Sequence, residues 1–275
     1  MDNKKMLGHM IGANYHTHTP RSFHASGTDR EYIEAAIRFG YHTIGFADHS
    51  PYIFTNGYGS YDRILVEATQ EYAETFAALK EEYKNDIRIL IGYEMEYYPE
   101  FFEETLKHIC KFPVDYLILG QHFIENEYTG KCCYDYTEDE AVLKQFIDEL
   151  IAGIQTGVYT YVAHPNILNY GGDMGIYETH VRRLCAEAKK HNVSFEADIR
   201  YIDDFEGEHR DIRSHHFYKV AAEFGIPVVF GCDAHNPAAL NDVALYENAL
   251  RLMDYVGAKV INDPILRDPH LYFQK

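Results

Sequence analysis

Residues 225–235 read Gly225-Ile226-Pro227-Val228-Val229-Phe230-Gly231-Cys232-Asp233-Ala234-His235. The apolar run 227–230 is short, rich in β-branched residues and bounded by glycines, as a buried strand would be. It leads straight into an Asp-x-His pair. In extended chain, residues i and i+2 project to the same side, so Asp233 and His235 can offer two ligand atoms to one region. Residues 213–224 before the run read as a helix stopped by Gly225, and residues 238–256 after it as another.

The same unit repeats toward the N-terminus. Residues 11–15, 43–47, 87–95, 116–119, 159–163 and 193–199 read as strands. Residues 29–39, 61–84, 99–111, 138–156 and 177–191 read as the helices between them. Strands separated by helices of this length imply parallel pairing through right-handed crossovers. Seven units point to an α/β barrel of seven strands, or of eight with residues 259–261 as an irregular last one. An open doubly wound sheet is the alternative architecture. No Gly-rich phosphate turn follows an early strand, which argues against dinucleotide binding. No interior linker or low-complexity segment divides the chain, so residues 1–275 are expected to form a single domain.

Composition narrows the class. Hydrophobic residues make up 46% of the 275, enough for a sizeable core, with 24 Tyr, 16 Phe and no Trp. A formal net charge of −18 repels long nucleic acids and anionic membrane surfaces at long range. Bound cations could still invert the field for a small anionic substrate. The five cysteines are odd in number and contain no Cys-x-x-C; we read them as reduced thiols in a reducing compartment. No apolar h-region opens the chain and no run of 18 apolar residues occurs, so a cytoplasmic protein without a membrane span is expected. Oligomeric state is not legible.

The 16 histidines are informative by position. His16 and His18 follow strand 1, with His24 in the next loop. His49 follows strand 2, Glu94 and Glu96 end strand 3, and His122 and His164 follow strands 4 and 5. In a parallel barrel all of these ends face one rim. His16, His18, His24, His49, Glu94, His122, His164, Asp233 and His235 are too many for one ion of about four to six ligands. Two or three divalent ions would use them, with imidazole and carboxylate suiting Zn, Mn or Fe. Paired ions about 3.5–4 Å apart can generate a hydroxide nucleophile at neutral pH and clamp a phosphoryl group. Each motif alone has a plainer reading: His-x-His on a surface strand, Asp48 as a turn cap, Glu96 as a surface charge. Recurrence at strand after strand outweighs them. His9, His108, His180, His191, His209, His215 and His216 lack that support and are assigned surface or structural roles.

The motifs His16-Thr17-His18, His24, Asp48-His49, Gly92-Tyr93-Glu94, His122, Ala163-His164-Pro165 and Gly231-Cys232-Asp233-Ala234-His235 resemble the polymerase-and-histidinol-phosphatase (PHP) superfamily in order and strand position. Within it they are most similar to stand-alone histidinol-phosphatases. The resemblance implies a distorted (β/α)7 barrel of TIM-barrel-like form with a trinuclear site. It implies that His16, His18, Glu94 and Asp233 hold one ion. Glu94 would bridge to a second, held also by His122 and His164, and His24, His49 and His235 would hold a third. Glu94, Asp233 and His235 are the implied catalytic residues. The implied reaction is hydrolysis of L-histidinol phosphate to L-histidinol and phosphate in histidine biosynthesis.

One stretch departs from the family. Strand 6 of histidinol-phosphatases runs Glu-x-Asn with an Arg a few residues later. Here Glu196-Ala197-Asp198 is followed at once by Arg200 and then by the acidic run Asp203-Asp204-Phe205-Glu206. Arg200 is the first candidate for a phosphate contact, since guanidinium suits bidentate phosphate binding, and Arg21 is the second. Either could instead pair with nearby acids. The departure leaves open a phosphoesterase acting on nucleotides or short oligonucleotides. An amidohydrolase-type barrel fits less well, because Gly120-Gln121-His122 stands where that family places a bridging lysine. A non-catalytic metal-binding module is disfavoured because all nine ligand positions are filled.

Overall fold

Strands covered by helices outside and by one another inside must be apolar on both faces, and the seven strands here are buried almost throughout. The computed structural model describes residues 3–202 and 212–274; the acidic run at 203–206 and His209 lie outside the described residues. The strands are β1 (Ala13–Asn14), β2 (Thr43–His49), β3 (Arg88–Glu94), β4 (Tyr116–Leu119), β5 (Tyr159–Val162), β6 (Ser194–Asp198) and β7 (Val228–Gly231). They pair in parallel in chain order. The sheet then returns on itself. Beyond β7, Ala234 donates its N–H to the His16 carbonyl at 3.2 Å and accepts from the His18 N–H at 2.9 Å. The result is a nearly closed seven-stranded parallel barrel, as expected, rather than an open doubly wound sheet.

The helices are α1 (Asn3–Ile11), α2 (Asp29–Phe39), α3 (Thr69–Glu82), α4 (Phe102–Ile109), α5 (Glu140–Thr156), α6 (Met174–His191), α7 (Ile212–Phe224) and α8 (Val243–Val256). Local chemistry sets their ends. Thr28 and Glu31 form a capping box at the start of α2, and Gly40 in the left-handed region (φ 109°) ends it. No helix among the described residues is long and apolar enough to cross a membrane.

Three expectations need correction. Residues 3–11 form a helix that was not expected; Gly12 at φ 76° ends it, so β1 starts at Ala13 rather than at residue 11. The helix expected at 61–84 starts only at Thr69, after a 3-10 turn at Val66–Ala68, because Arg63 is drawn inward and is 4% exposed. The last strand expected at 259–261 reduces to one bridge between Val228 and Val260. That segment bonds to the start of β7, while residues beyond the end of β7 bond to those beyond β1, so no eighth strand enters the barrel among the described residues.

The barrel interior is filled by Tyr15, Leu90, Tyr116, Ile118, Tyr161 and Val229 together with small residues. Tyr15, Tyr116 and Tyr161 are the largest fillers, and Tyr116 is the one set against two glycines. Its hydroxyl donates to the Tyr15 carbonyl at 2.6 Å, and its ring occupies space that Gly45 and Gly92 leave open. A Cβ on Gly92 would lie 2.5 Å from the ring. Overpacking a core this tight is costly. Gly92→Ala should therefore destabilise the protein by roughly 1–3 kcal/mol, read as a lower urea midpoint at unchanged m value; an unshifted midpoint would show that the barrel interior yields.

Candidate metal centre

The parallel register carries functional residues to one end of the barrel. His49 is level with Glu94 across β2 and β3, and the other groups stand at or just beyond the same strand ends. Glu94 is the hub. Its Oε2 lies 3.3 Å from His16 Nε2, 3.4 Å from His18 Nε2 and 3.3 Å from His49 Nδ1. Its Oε1 lies 2.7 Å from His164 Nε2 and 3.4 Å from His122 Nε2. Asp233 Oδ1 lies 2.8 Å from His18 Nε2 and 3.5 Å from His235 Nδ1. The His24 ring is 5.2 Å from that of His49 and 4.8 Å from that of His235. All nine expected ligand residues thus meet in one cluster.

The backbone is bent to achieve this. His164 (φ 27°) and Asp233 (φ 40°) both lie in the left-handed region, a conformation that costs of order 1–3 kcal/mol and concentrates at functional sites. Two glycines make room for carboxylates. A Cβ on Gly120 would stand 1.9 Å from Glu94 Oε1, and one on Gly231 would stand 1.9 Å from Glu196 Oε1.

The atoms facing the centre suit divalent cations. Glu94 Oε2, Asp233 Oδ1 and the Nδ1 atoms of His18, His49 and His164 are buried without a hydrogen-bond partner among the described residues. Buried polar atoms are ordinarily satisfied; Glu94 Oε2, Asp233 Oδ1 and His49 Nδ1 stand open within the cluster, as metal ligands would, while His18 and His164 approach Glu94 through Nε2 rather than through their open Nδ1. Ligand atoms of His16, His18 and Glu94, of His16, His164 and Asp233, and of His18, His24 and His49 fall within 4.8 Å of one another. Electrostatics agree. Burial pushes His49 well below its ordinary value, and burial together with His18 and Arg200 pushes His235 down to about 2; neutral imidazoles can donate lone pairs. Burial alone would raise Glu94, but the imidazoles of His122, His16, His49 and His164 hold it well below the usual carboxylate range. Burial also opposes protonation of His16, yet Glu196 and Glu94 outweigh it and raise this group well above its ordinary value. A cation entering there would displace that proton.

Three carboxylates behind the histidines were not singled out as site residues. Glu196 accepts from His16 Nδ1 at 3.0 Å, Tyr161 Oη at 3.2 Å and the His164 N–H at 2.9 Å. Asp48 takes the Thr19 N–H at 3.0 Å and stands 3.5 Å from His18 Nδ1. It is therefore more than a cap of the turn that follows it. Glu96 is 0% exposed and joins Arg63 and His122, which rules out the plainer alternative of a surface charge. For Asp48 and Glu96 the sequence did hold a signal, since each stands beside a candidate ligand, His49 and Glu94 respectively; for Glu196 it held none.

The centre opens into a cavity of about 370 Å³ lined by His24, His49, His122, Asp233 and His235, by Arg200, Tyr134 and Tyr201, and by Asp62 and Glu127. Arg200 lies at the centre. Its guanidinium contacts Asp233, approaches Asp198 Oδ2 and His235 Nδ1 at 3.4 and 3.3 Å, and stacks 5.2 Å from the Tyr201 ring. Arg21 does not line this cavity, contrary to its selection as a second phosphate contact. Its guanidinium is taken up by Asp29 at 2.9 and 3.0 Å and by Glu71 at 2.8 and 2.9 Å. Other histidines lie elsewhere: His108 bonds to Thr69, His180 to Glu140 and His216 to Glu178.

Fold and site together define a parallel barrel whose mouth gathers side chains suited to divalent metal, and comparison narrows the class. The PHP domain family matches residues 14–198, about two thirds of the chain, and the chain belongs to that family. It is 27% identical to the histidinol-phosphatase of Bacillus subtilis over 259 residues, 80% of this chain and 92% of that one. It is 23% identical to a probable histidinol-phosphatase of Deinococcus radiodurans over 255 residues, 90% of this chain and 94% of the relative. Its fold resembles that of a histidinol phosphate phosphatase from Lactococcus lactis solved with zinc, L-histidinol and phosphate. That match has a TM-score of 0.71 and 20% identity, and covers 91% of this chain and 95% of the other.

Gly120 offers a test of the hub. Gly120→Ala should displace the Glu94 carboxylate and reduce bound metal, measured by elemental analysis after dialysis, while circular dichroism stays near wild type. Full metal content in that variant would show that Glu94 is not held where its Gly120 contact puts it.

Proposed function

We propose that this chain is a metal-dependent phosphomonoesterase that hydrolyses L-histidinol phosphate to L-histidinol and phosphate. One observation carries the reaction class: nine ligand-type side chains converge in a member of the PHP family, with Glu94 Oε2, Asp233 Oδ1 and His49 Nδ1 buried there without a hydrogen-bond partner. The relatives named histidinol-phosphatase support the substrate. In this reading His16, His18, Glu94 and Asp233 hold one ion, Glu94, His122 and His164 a second, and His24, His49 and His235 a third; Zn, Mn and Fe all suit these donors. Divalent cations, when bound, lower the pKa of water and neutralise phosphoryl oxygens.

The chain's own groups supply the rest. Glu94, Asp233 and His235 are the residues we read as catalytic; Asp233 and His235 line the cavity that would take the phosphate. Arg200 stands at the edge of the same cluster, where its planar fork can take two phosphate oxygens. The Tyr134 and Tyr201 hydroxyls, 3.0 Å apart, and the acidic pair Asp62 and Glu127 line the remaining wall. An aromatic, acidic wall accords with a leaving alcohol that carries an imidazole and an ammonium. It accords less with nucleotides, whose further phosphates would meet like charge. We read the chain as one domain, because β7 and the Asp233–His235 pair fall beyond the matched residues 14–198 yet pair into the same barrel. A cytoplasmic setting accords with the odd number of cysteines.

The deciding assay is phosphate release by manganese-loaded protein, with histidinol phosphate and nucleotides side by side. Histidinol phosphate should be turned over at ~10⁴ M⁻¹s⁻¹ or more in kcat/KM, well above every nucleotide. The reverse ranking would move the protein to the nucleotide-hydrolysing alternative. His18→Ala or Asp233→Ala should abolish turnover and reduce bound metal. Arg200→Ala should raise KM for the phosphate ester while metal content holds; unchanged kinetics would make Arg200 a partner of Asp198 and Asp233 only.

A further inference from the structure

Three segments of the rim meet at Arg63. Arg63 follows β2, Glu96 lies just past β3, and Glu127 follows β4. Arg63 Nη1 and Nη2 donate to the two Glu96 oxygens at 2.7 and 2.9 Å, and Nε donates to Glu127 Oε2 at 2.5 Å. The Tyr52 ring lies 5.2 Å from the guanidinium carbon. Arg63 and Glu96 are both buried. A buried ion pair is a poor source of stability, because desolvation offsets most of the attraction. Its inner end suggests a different purpose. Glu96 Oε1 also accepts from His122 Nδ1 at 2.9 Å, and the Glu96 carbonyl accepts from the Tyr52 and Tyr159 hydroxyls at 2.5 and 3.2 Å. With Nδ1 committed, His122 turns Nε2 toward Glu94. Glu96 could itself be a ligand, since its atoms group with those of His49 and His122 within 4.8 Å. Arg63 decides between the two roles by engaging both of its oxygens.

We propose that Glu96 and Arg63 are positioning residues. Glu96 holds the His122 proton on Nδ1, so that the Nε2 lone pair faces the metal cluster. Arg63 holds Glu96 out of that cluster. The inference rests on the reading of His122 as a ligand, and the test separates the two.

Zinc alone is the probe, in chelator-competition titrations of the purified full chain. Imidazole ¹⁵N shifts report the His122 tautomer. Glu96→Met should weaken one zinc ion by about 10–100-fold and erase the Nδ1–H signature of His122. The triple variant R63M/E96M/E127Q, which leaves none of the three paired charges behind, should do the same with a metal-free melting temperature near wild type. Glu96→Gln should recover most of the affinity, because an amide oxygen still accepts from Nδ1–H but is a poor metal ligand. Zinc binding in Glu96→Gln as weak as in Glu96→Met would make Glu96 a ligand and overturn the proposal. Wild-type binding in both Met variants would overturn it as well. His122→Ala should weaken the same ion; a His122→Ala chain that binds zinc like wild type would instead overturn the ligand reading, and the proposal with it.

Discussion

A single carboxylate buried among five imidazoles is the constraint around which this structure is arranged. Glu94 is 0% exposed, and a buried charge is tolerated only where partners surround it. Strand β3 places it level with His49 of β2, and β4 must present no side chain at Gly120 for it to fit. His16, His18, His122 and His164 then close over it from three further strand ends. The left-handed backbone at His164 and Asp233 is tolerated on the same account: the segments bend so that their donors face this point rather than solvent.

Around that hub the polar groups form two layers. The inner layer exposes lone pairs without protons to match. The outer layer, made by Glu196, Asp48 and Glu96, is fully hydrogen-bonded and orients the inner rings. Such partners fix tautomers and raise ligand basicity. The contrast is plain at the hub, where Glu94 Oε2 and Asp233 Oδ1 stand open while the carboxylates behind them are paired to backbone N–H groups, tyrosine hydroxyls or arginine.

Much of this was legible in the sequence, and the reasons differ by element. The strand at 116–119 and the helix at 29–39 emerge with the expected bounds, because an apolar run and a capping box with a terminal glycine are local signals. The nine clustered residues were legible because strand ends recur on one rim. Glu196 was not, since nothing near it in sequence announces a histidine 180 residues away. Arg63 was misplaced within a helical pattern because its burial depends on Glu96 and Glu127, both distant along the chain. Arg21 looked well placed between His18 and His24, yet Asp29 and Glu71 offered it a fuller set of acceptors.

The closure of the barrel also completes the site. The His16 carbonyl and the His18 N–H find their hydrogen-bond partners at Ala234, beside Asp233 and His235. The histidines that follow β1 are thus held in place by residues that follow β7. Most of the donors lie on β1 to β5 and their flanks, yet the cluster takes its geometry only where β7 is joined to β1.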